Sequence, residues 1–288
     1  MTLQYHSDGV VAVVVVYERN LERVRCWAEL LSLLNLSDSN ELRLKHILVY
    51  DNSATPQAEP FLISNCSYIH NPKNGGTSAA YTYALKLAQD LKLGWLLLLD
   101  HDTEIPKKFF DSASIALAAS IVRPAALLPW VVDGERSVSP ACITWMGSIK
   151  PIIRKNKVFQ CRNLTGIASA SFVDSTSLKM IGPLPASLWL DYVDHWIFLN
   201  FNKLDKKIVI FNAVVQHELS VFQRSAVSRE RLFSILDGEL VFVNSFSWHI
   251  RFIYSFRLGF RLVRNMLFHP GSALDMFAWM IAKLSRSS

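Results

Sequence analysis

Short apolar runs that end in polar residues recur along the first part of the chain, and they constrain its fold more than any other feature. Helical patterns separate several of these runs. The runs are Val10–Tyr17, Lys45–Tyr50, Ser67–His70 and Trp95–Leu99, and the helical patterns are Leu21–Leu34 and Thr77–Leu91. Strands that alternate with helices are typical of a parallel sheet built from βαβ units. The uninterrupted run Val10–Tyr17 predicts a central strand that is buried on both faces.

The pattern becomes less regular after about residue 105. Residues 123–165 are rich in Pro, Trp and Ser, and they show little periodicity. Beyond them Val214–Leu219 is expected to lead out of the sheet, and a helical, aromatic and basic pattern starts at Arg229. The remaining predictions are strands at Ala125–Pro129, Ser169–Asp174 and Lys207–Phe211, and helices at Ser175–Ile181 and Leu188–Phe201. We therefore predict one α/β domain over residues 1–225, with halves at about 1–105 and 106–225, followed by a helical tail over 226–288.

Composition raises the question of a membrane. Hydrophobic residues make up 51% of the chain and the mean hydropathy is +0.21. No run reaches the roughly 18–20 apolar residues that span a bilayer, and no signal peptide is expected from the first residues. The widely spaced cysteines are expected to be reduced thiols of a cytoplasmic protein. They are Cys26, Cys66, Cys142 and Cys161.

The positive charge of the chain is concentrated in the tail. The net charge is +6, and residues 241–288 contain six basic residues against the single acid Asp275. Arg257, Arg261 and Arg264 fall on one side of a helix, with aromatic residues and leucines around them. Such a basic amphipathic helix suits an anionic membrane surface, although a helix docked on the domain with solvated arginines would look similar. A nucleic-acid-binding protein would spread its charge over a sheet or groove, so we expect no nucleic-acid partner.

Three polar clusters follow predicted strands, where ligands bind in open parallel sheets. They are Tyr17-Glu18, Asp51-Asn52-Ser53 and Asp100-His101-Asp102. Two carboxylates at the end of a buried strand cost folding free energy unless they bind something. Mg²⁺ or Mn²⁺ on a substrate diphosphate is the usual ligand for such a pair. A simple polar turn is the alternative for the last cluster.

Three further features are weaker on their own. Asn74-Gly75-Gly76-Thr77 opens a helix and either presents N–H groups to a phosphate or only forms a turn. The acids Asp191 and Asp194 offer a general base, or they are helix N-terminal residues favoured by the dipole. His217 follows a strand and offers an imidazole to a metal ion, or it is structural.

Taken in order, seven segments between about residues 10 and 220 resemble glycosyltransferase family 2, and especially its rhamnosyltransferase-like branch. They are VVAVVVVYERNLERV, ILVYDNSA, HNPKNGGTSAAYTYAL, GWLLLLDHDTEIP, TGIASASFVDSTSLKMIGPLP, LWLDYVDHWIFL and AVVQHELS. The resemblance implies the GT-A fold, a mixed and mainly parallel sheet flanked by helices. It also implies an inverting, metal-dependent hexosyltransferase that uses a dTDP- or UDP-sugar, with rhamnose as one candidate, and a polysaccharide or lipid-linked glycan acceptor. The site would then lie at the cytoplasmic face of the inner membrane.

The resemblance also implies a role for individual residues. The nucleotide-sugar would be bound by Tyr17, Glu18, Asp51, Asn74, Gly75, Asp100 and His101, the metal by Asp102 and His217, and the acceptor by Gly166 and Trp196. Asp194 matches the catalytic base of the family. Many relatives carry an acid before the Trp of this motif, whereas His195-Trp196 follows Asp194 directly here, and this leaves Asp191 as a rival base. Glu18 stands where a polar amide is more usual.

Other functions make different demands on the sequence. A sugar nucleotidyltransferase would carry a Gly-rich, basic loop after the first strand, and Tyr17-Glu18-Arg19-Asn20 does not supply one. An inactive transferase used as a scaffold stays open because of the altered Asp194-His195-Trp196 segment.

Overall fold

A computed structural model describes residues 7–35, 42–57, 63–154, 161, 163–217, 229–268 and 270–284 of the chain. Its main feature is an eight-stranded mixed sheet. The strands in chain order are β1 (Ser7–Val16), β2 (Arg43–Asp51), β3 (Cys66–His70), β4 (Leu93–Asp100), β5 (Ala126–Asp133), β6 (Arg136–Ser139), β10 (Ser171–Asp174) and β11 (Ile208–Gln216). The spatial order is β11-β5-β10-β4-β1-β2-β3, with β6 paired to β5. Strand β10 runs antiparallel to both of its neighbours, and the pairs β1–β2, β1–β4, β2–β3 and β5–β11 are parallel.

Helices cover both faces of this sheet. They are α1 (Trp27–Asn35), α2 (Gly76–Asp90), α3 (Phe109–Ala118), α4 (Ser175–Met180) and α5 (Val193–Lys203). One core lies under α1 and α3, and the other lies under α2, α4 and α5. Val10, Val11 and Val13 of β1 are fully buried. The uninterrupted apolar run is thus explained by a strand that contributes side chains to both cores.

The register of the parallel strands places their polar ends at one edge. Val15 of β1 pairs with Asp100, and Val16 pairs with Asp51. Asp51 in turn pairs with His70 at the end of β3. The clusters predicted at the strand ends therefore share the carboxyl edge of the sheet.

A small second sheet lies in the region where the sequence showed little periodicity. It contains β7 (Ala141–Ile143), β8 (Ile149–Pro151) and β9 (Leu164–Thr165) in the order β8-β7-β9. Cys142 and Cys161 form a disulfide here, so the expectation of four reduced thiols is wrong for this pair. Cys142 pairs with Leu164 of β9, and Cys161 lies three residues before Leu164. The two cysteine Cα atoms are therefore close, at 5.8 Å, a distance suited to a disulfide. Cys26 and Cys66 are free.

Several predicted boundaries were wrong for local reasons. The helix expected from Leu21 is a short 3₁₀ turn over Leu21–Arg23, and extended Val24 separates it from α1. The helix expected from Leu188 begins only at Val193, because Tyr192 has a left-handed backbone with a φ of 66°. Strand β11 continues to Gln216, so Val214–Gln216 belongs to the sheet instead of leading out of it. Residues 218–219 lie outside the described residues.

The tail consists of α6 (Arg229–Asn244), α7 (Trp248–Phe268) and α8 (Pro270–Leu284). Phe242 and Val243 of α6 pack with Leu199 of α5 and Tyr254 of α7. Leu236 of α6 packs with side chains of α8. Helix α6 therefore connects the domain built on the main sheet to the last two helices. None of the helices in the described part of the chain is both long and apolar enough to cross a membrane.

Candidate active site

A cleft of about 880 Å³ opens at the carboxyl edge of the sheet. Its walls come from the strand ends, the start of α2, the segment before α5, and α6. Eight of the residues predicted from the sequence line it: Tyr17, Asn74, Asp100, His101, Asp102, Asp191, Asp194 and His217. Residues that are far apart in sequence thus meet in one cavity that is large enough for a nucleotide-sugar.

Two of the predicted residues lie beside the cleft, at the end of β2 and just after the end of β1. Asp51 is fully buried and accepts hydrogen bonds from the Ser53 amide and the Tyr68 hydroxyl. Burial acts to raise the pKa of Asp51, but these hydrogen bonds outweigh it and the pKa is lowered. Glu18 is exposed, and its carboxylate accepts a hydrogen bond from the amide of Ala54 at 3.0 Å. Both carboxylates hold loop backbone in place and do not line the cleft.

The other three predicted residues that do not line the cleft are packed beside it. Gly75 precedes α2, and a Cβ there would come within 2.7 Å of the Asn71 side chain. Gly166 is buried, and a Cβ there would meet the Ser139 hydroxyl at 2.9 Å. Trp196 is half-buried and packs against the core under α2 and α5. The structure therefore places these residues as supports of the cleft wall.

Asp100, Asp102 and His217 form a compact group at the floor of the cleft. One potential ligand atom from each lies within 4.8 Å of the others. Nδ1 of His217 lies 3.2 Å from Oδ1 of Asp102. Two carboxylates and an imidazole in this arrangement are a suitable ligand set for a divalent cation.

The backbone fixes this group from two directions. Asp100 ends β4 opposite Val15 of β1, so the following turn carries Asp102 to the cleft. The amide of His217 donates to the carbonyl of Val132 at 3.1 Å, just after β11 ends. An isolated bridge between Glu104 and Gln216 joins the turn after Asp102 to the end of β11. The imidazole and the carboxylates therefore meet because two separate strand ends are joined.

Unsatisfied buried atoms in this group support the fit of a metal ion. Oδ1 of Asp102 and Nδ1 of His217 are buried, and apart from their contact with each other neither makes a hydrogen bond with a described residue. Burial raises the pKa of Asp100, although His217 and a hydrogen bond from the Ser169 hydroxyl oppose this. Burial also acts to raise the pKa of Asp102, but the contact with His217 outweighs it and the pKa is lowered. Buried polar atoms with so few partners are costly, and a bound cation would give both the carboxylate oxygen and the imidazole nitrogen a further partner.

Asp194 and Asp191 differ sharply in their surroundings. Asp194 lies in the first turn of α5, and its two oxygens accept from the amides of Ala168 at 3.1 Å and His195 at 2.7 Å. Asp191 forms an ion pair with Arg231 at 2.9 Å. Burial raises the pKa of Asp191, although Arg231 opposes this. The two carboxylates therefore differ in their partners: Asp191 is occupied by a guanidinium, whereas Asp194 contacts only backbone amides in the described structure and lines the cleft.

Arg231 and several other cleft residues were missed in the sequence. Ser169 lies inside the segment around Gly166 that resembles the family, and Asn52 lies inside the second polar cluster, so their positions carried a signal. Gly76 has a φ of 69°, and a Cβ there would overlap the carbonyl of Trp189. Arg231 lies on α6 and carried no signal, because nothing in the sequence indicates that the tail returns to the cleft.

Tyr81 of α2 was also missed, although it is spaced from Thr77 and Ala84 so as to face the sheet. Its side chain is fully buried and lines the cleft, and its hydroxyl has no hydrogen-bond partner in the described structure. Burial raises the pKa of Tyr81 well above its ordinary value, and the nearby Asp100 and Asp194 act in the same direction.

Removing this hydroxyl should not destabilise the protein. A buried donor without an acceptor costs about 1–3 kcal/mol, so Tyr81→Phe should leave the melting temperature unchanged or raise it. The matched control is Tyr68→Phe, which removes a hydroxyl that donates to Asp51 at 2.6 Å and should lower the melting temperature. Thermal unfolding followed by circular dichroism checks both. Equal destabilisation by the two changes would show that Tyr81 has a partner.

Comparisons with known proteins agree with this geometry. Residues 11–113 match the model described as glycosyl transferase family 2. The matched segment runs from β1 into α3, and it includes Asp100, His101 and Asp102. It supports the resemblance to this family, and the rhamnosyltransferase-like branch stays a prediction. A search of the curated proteins found no match.

Solved structures extend the likeness to the fold. The structure of GalNAc-T7 with UDP, GalNAc and Mn²⁺ superposes with a TM-score of 0.56 and 13% identity, over 86% of this chain and 49% of that chain. The present chain thus spans about half the length of that protein. S. aureus TarS 1–349 in complex with UDP gives a TM-score of 0.49 and 15% identity, over 90% of this chain and 72% of that chain. The predicted GT-A fold, a mainly parallel sheet flanked by helices with helices at the C-terminus, is confirmed by the architecture and by the likeness to GalNAc-T7.

Proposed function

We propose that the protein is an inverting glycosyltransferase that moves a sugar from a nucleotide-sugar to a glycan acceptor. The observation that carries the proposal is the meeting of two groups in one cleft. Asp100, Asp102 and His217 form a cation-binding set, and Asp194 presents a carboxylate that has no cationic partner in the described structure. Donor activation and proton removal are the two demands of a single displacement at an anomeric carbon.

The donor is proposed to be a dTDP- or UDP-sugar, with dTDP-rhamnose as the candidate that the resemblance favours. Tyr17 and Asn52 line the part of the cleft near the ends of β1 and β2, where they would face the nucleotide. GalNAc-T7, which shares the fold, was solved with UDP, and this supports a uridine or thymidine diphosphate donor. Asn74 lies at the start of α2 and would border the sugar.

The cofactor is proposed to be Mg²⁺ or Mn²⁺, held by Asp102 and His217 with Asp100 beside them. When bound, such an ion neutralises charge on the diphosphate of the donor. The pair of aspartates alone would repel that diphosphate, so these residues fit a donor only with a cation present.

The residues of the chain account for the remaining chemistry. Asp194 accepts the proton of the acceptor hydroxyl as its oxygen forms a bond to the anomeric carbon. The bond from that carbon to the diphosphate oxygen breaks, and the nucleoside diphosphate leaves with the electron pair. The Ala168 and His195 amides hold the Asp194 carboxylate in position. Attack from the face opposite the leaving group inverts the configuration, and no covalent enzyme intermediate is required.

A donor screen tests the function. The protein should release a nucleoside diphosphate from one or a few sugars in a panel of nucleotide-sugars, and chelation with EDTA should stop the release. Release of pyrophosphate from a sugar phosphate and a nucleoside triphosphate would instead identify a sugar nucleotidyltransferase. Failure of every donor in the presence of Mn²⁺ and glycan acceptors would contradict the proposal and favour a scaffold role.

The acceptor is proposed to be a polysaccharide or lipid-linked glycan, reached from an anionic membrane surface. Six side chains of α7 form an exposed apolar stripe at spacings of three and four residues, and each is 56–76% exposed. The apolar stripe consists of Trp248, Phe252, Phe256, Phe260, Val263 and Leu267. Leu274, Phe277 and Ile281 of α8 are exposed as well. Two helices with such surfaces suit the interfacial region of a bilayer.

Loss of the apolar stripe should weaken membrane binding. The double change Phe252→Ser and Leu267→Ser should lower partitioning onto anionic vesicles at least about tenfold, because each side chain contributes roughly 1.5–3 kcal/mol when buried. Ile115→Ser provides the control, since Ile115 is 70% exposed but lies on α3. Vesicle co-sedimentation measures the effect. If the double variant binds vesicles as well as the wild type, α7 does not form the membrane contact.

The proposed location is the cytoplasmic face of the inner membrane. The Cys142–Cys161 disulfide is more typical of oxidising compartments, so the free Cys66 is used for the test. In intact cells, a membrane-impermeant thiol-reactive probe should fail to label Cys66, and the same probe should label it in denatured lysates. Labelling of Cys66 in intact cells would contradict the cytoplasmic location.

A further inference from the structure

A second cavity lies beside the apolar stripe, outside the cleft described above. It has a volume of about 420 Å³, and it lies between α7 and Glu239 of α6. Arg257, Arg261 and Arg264 line it. We call it the arginine pocket.

The arginine pocket has an excess of positive charge. Arg261 pairs with Glu239 at 2.7 Å, so one of the three guanidinium groups is neutralised. Arg257 reaches only the carbonyl of Met146, at 3.5 Å, and Arg264 forms no ion pair with a described residue. Two cationic groups are therefore left to attract an anion.

A buried hydroxyl provides a second, independent observation. Tyr254 is 5% exposed and lines the same cavity, beside Glu239 and Arg261. Its hydroxyl forms no well-aligned hydrogen bond with a described residue, although Glu239 and Arg261 are close enough to interact with it. Guanidinium groups together with a hydroxyl donor are the groups that recognise phosphate oxygens.

The position of the pocket indicates where such a phosphate would come from. Phe256 and Phe260 belong both to the apolar stripe and to the rim of the arginine pocket. If the stripe enters the acyl region of a bilayer, the adjacent arginines lie at the depth of the lipid phosphates. A second copy of the chain is a poor occupant, since it would bring the basic tails together.

We propose that the arginine pocket binds the phosphate group of a membrane lipid and thereby fixes the depth and orientation of α7 on the bilayer. This rests on the membrane contact proposed above, and it does not depend on the sugar that is transferred. The pocket would then distinguish lipid phosphate from other anionic lipid headgroups.

The test uses the full chain and three kinds of vesicle. These are phosphatidylcholine alone, phosphatidylcholine with phosphatidylglycerol, and phosphatidylcholine with oleate at the same surface charge. The protein should bind the vesicles that contain phosphatidylglycerol more tightly than the other two kinds. Arg264→Gln should weaken this binding about fivefold, while the control Arg251→Gln, an exposed α7 arginine that does not line the pocket, should weaken it less than twofold. Tyr254→Phe should reduce the preference for phosphatidylglycerol over oleate.

Several results would overturn the proposal. Equal losses in Arg264→Gln and Arg251→Gln would indicate general electrostatic attraction, and equal binding to phosphatidylglycerol and oleate would exclude phosphate recognition. Two results together would indicate a free phosphate ligand instead. Inorganic pyrophosphate would raise the melting temperature of the wild type but not of Arg264→Gln, and Arg264→Gln would bind vesicles as well as the wild type does. If the arginine pocket does not bind lipid phosphate, the apolar stripe should still bind the membrane, and the donor screen with a soluble acceptor should give the same result. The pocket proposal and the proposed function can therefore fail separately.

Discussion

Replacing Asp194 with asparagine should lower the rate of sugar transfer about 10²- to 10⁴-fold and leave donor binding nearly unchanged. Asparagine keeps the shape of the side chain and an oxygen for the Ala168 amide, but it cannot accept the acceptor proton. Initial rates with the best donor of the screen, together with calorimetric binding of its nucleoside diphosphate, measure the two effects.

Asp191→Asn is the matched control, because Asp191 lies three residues earlier in the same cleft. Its carboxylate pairs with Arg231 and receives a hydrogen bond from Ser234 at 3.5 Å, so its replacement should disturb the contact with α6 more than the chemistry. A ten-fold loss or less is expected. If Asp194→Asn transfers sugar at the normal rate and Asp191→Asn is inactive, the catalytic base is Asp191 instead of Asp194.

Removing the carboxylate of Asp102 should abolish metal-dependent turnover, a loss of at least about a thousandfold. Asp102→Ala takes one of three potential ligands from the group with Asp100 and His217. Metal-dependent binding of the nucleoside diphosphate should disappear as well, which distinguishes this variant from Asp194→Asn. Titration of Mn²⁺ in the presence of the nucleotide measures this directly.

Asp90→Ala controls for the loss of an acidic residue, because Asp90 is exposed at the end of α2. Its activity should equal that of the wild type. Thermal unfolding of both variants shows whether the fold is retained. Wild-type metal dependence in a folded Asp102→Ala protein would contradict the assignment of the metal site.

The first half of the fold was predictable because burial and sequence pattern agree there. The continuous valines of β1 and the leucines of β4 are buried on both faces, so their lack of alternation was itself informative. Parallel strands must end at a common edge, so Asp51 and Asp100 could be placed at the same edge of the sheet without any knowledge of the register. The acidic part of the site followed from that constraint.

Other parts depend on contacts that no local pattern encodes. In helix α3, Phe109 contacts Phe172 and Phe211, and Phe110 contacts Phe172. The sequence alone did not show this aromatic core, because Phe172 and Phe211 come from distant strands. The Cys142–Cys161 disulfide requires the pairing of two very short strands. Arg231 reaches the cleft only because α6 packs closely on the segment before α5, where a Cβ on Gly238 would come within 2.8 Å of the Asp191 carbonyl.

The most direct test is a crystal structure of the protein with Mn²⁺ and UDP or dTDP, with the ion located by its anomalous scattering. We expect a manganese peak at ligand distance from Asp102 and His217, with the diphosphate beside it and the base near Tyr17. A nucleotide bound elsewhere, or a cleft in which these side chains hold neither metal nor diphosphate, would contradict the proposed chemistry.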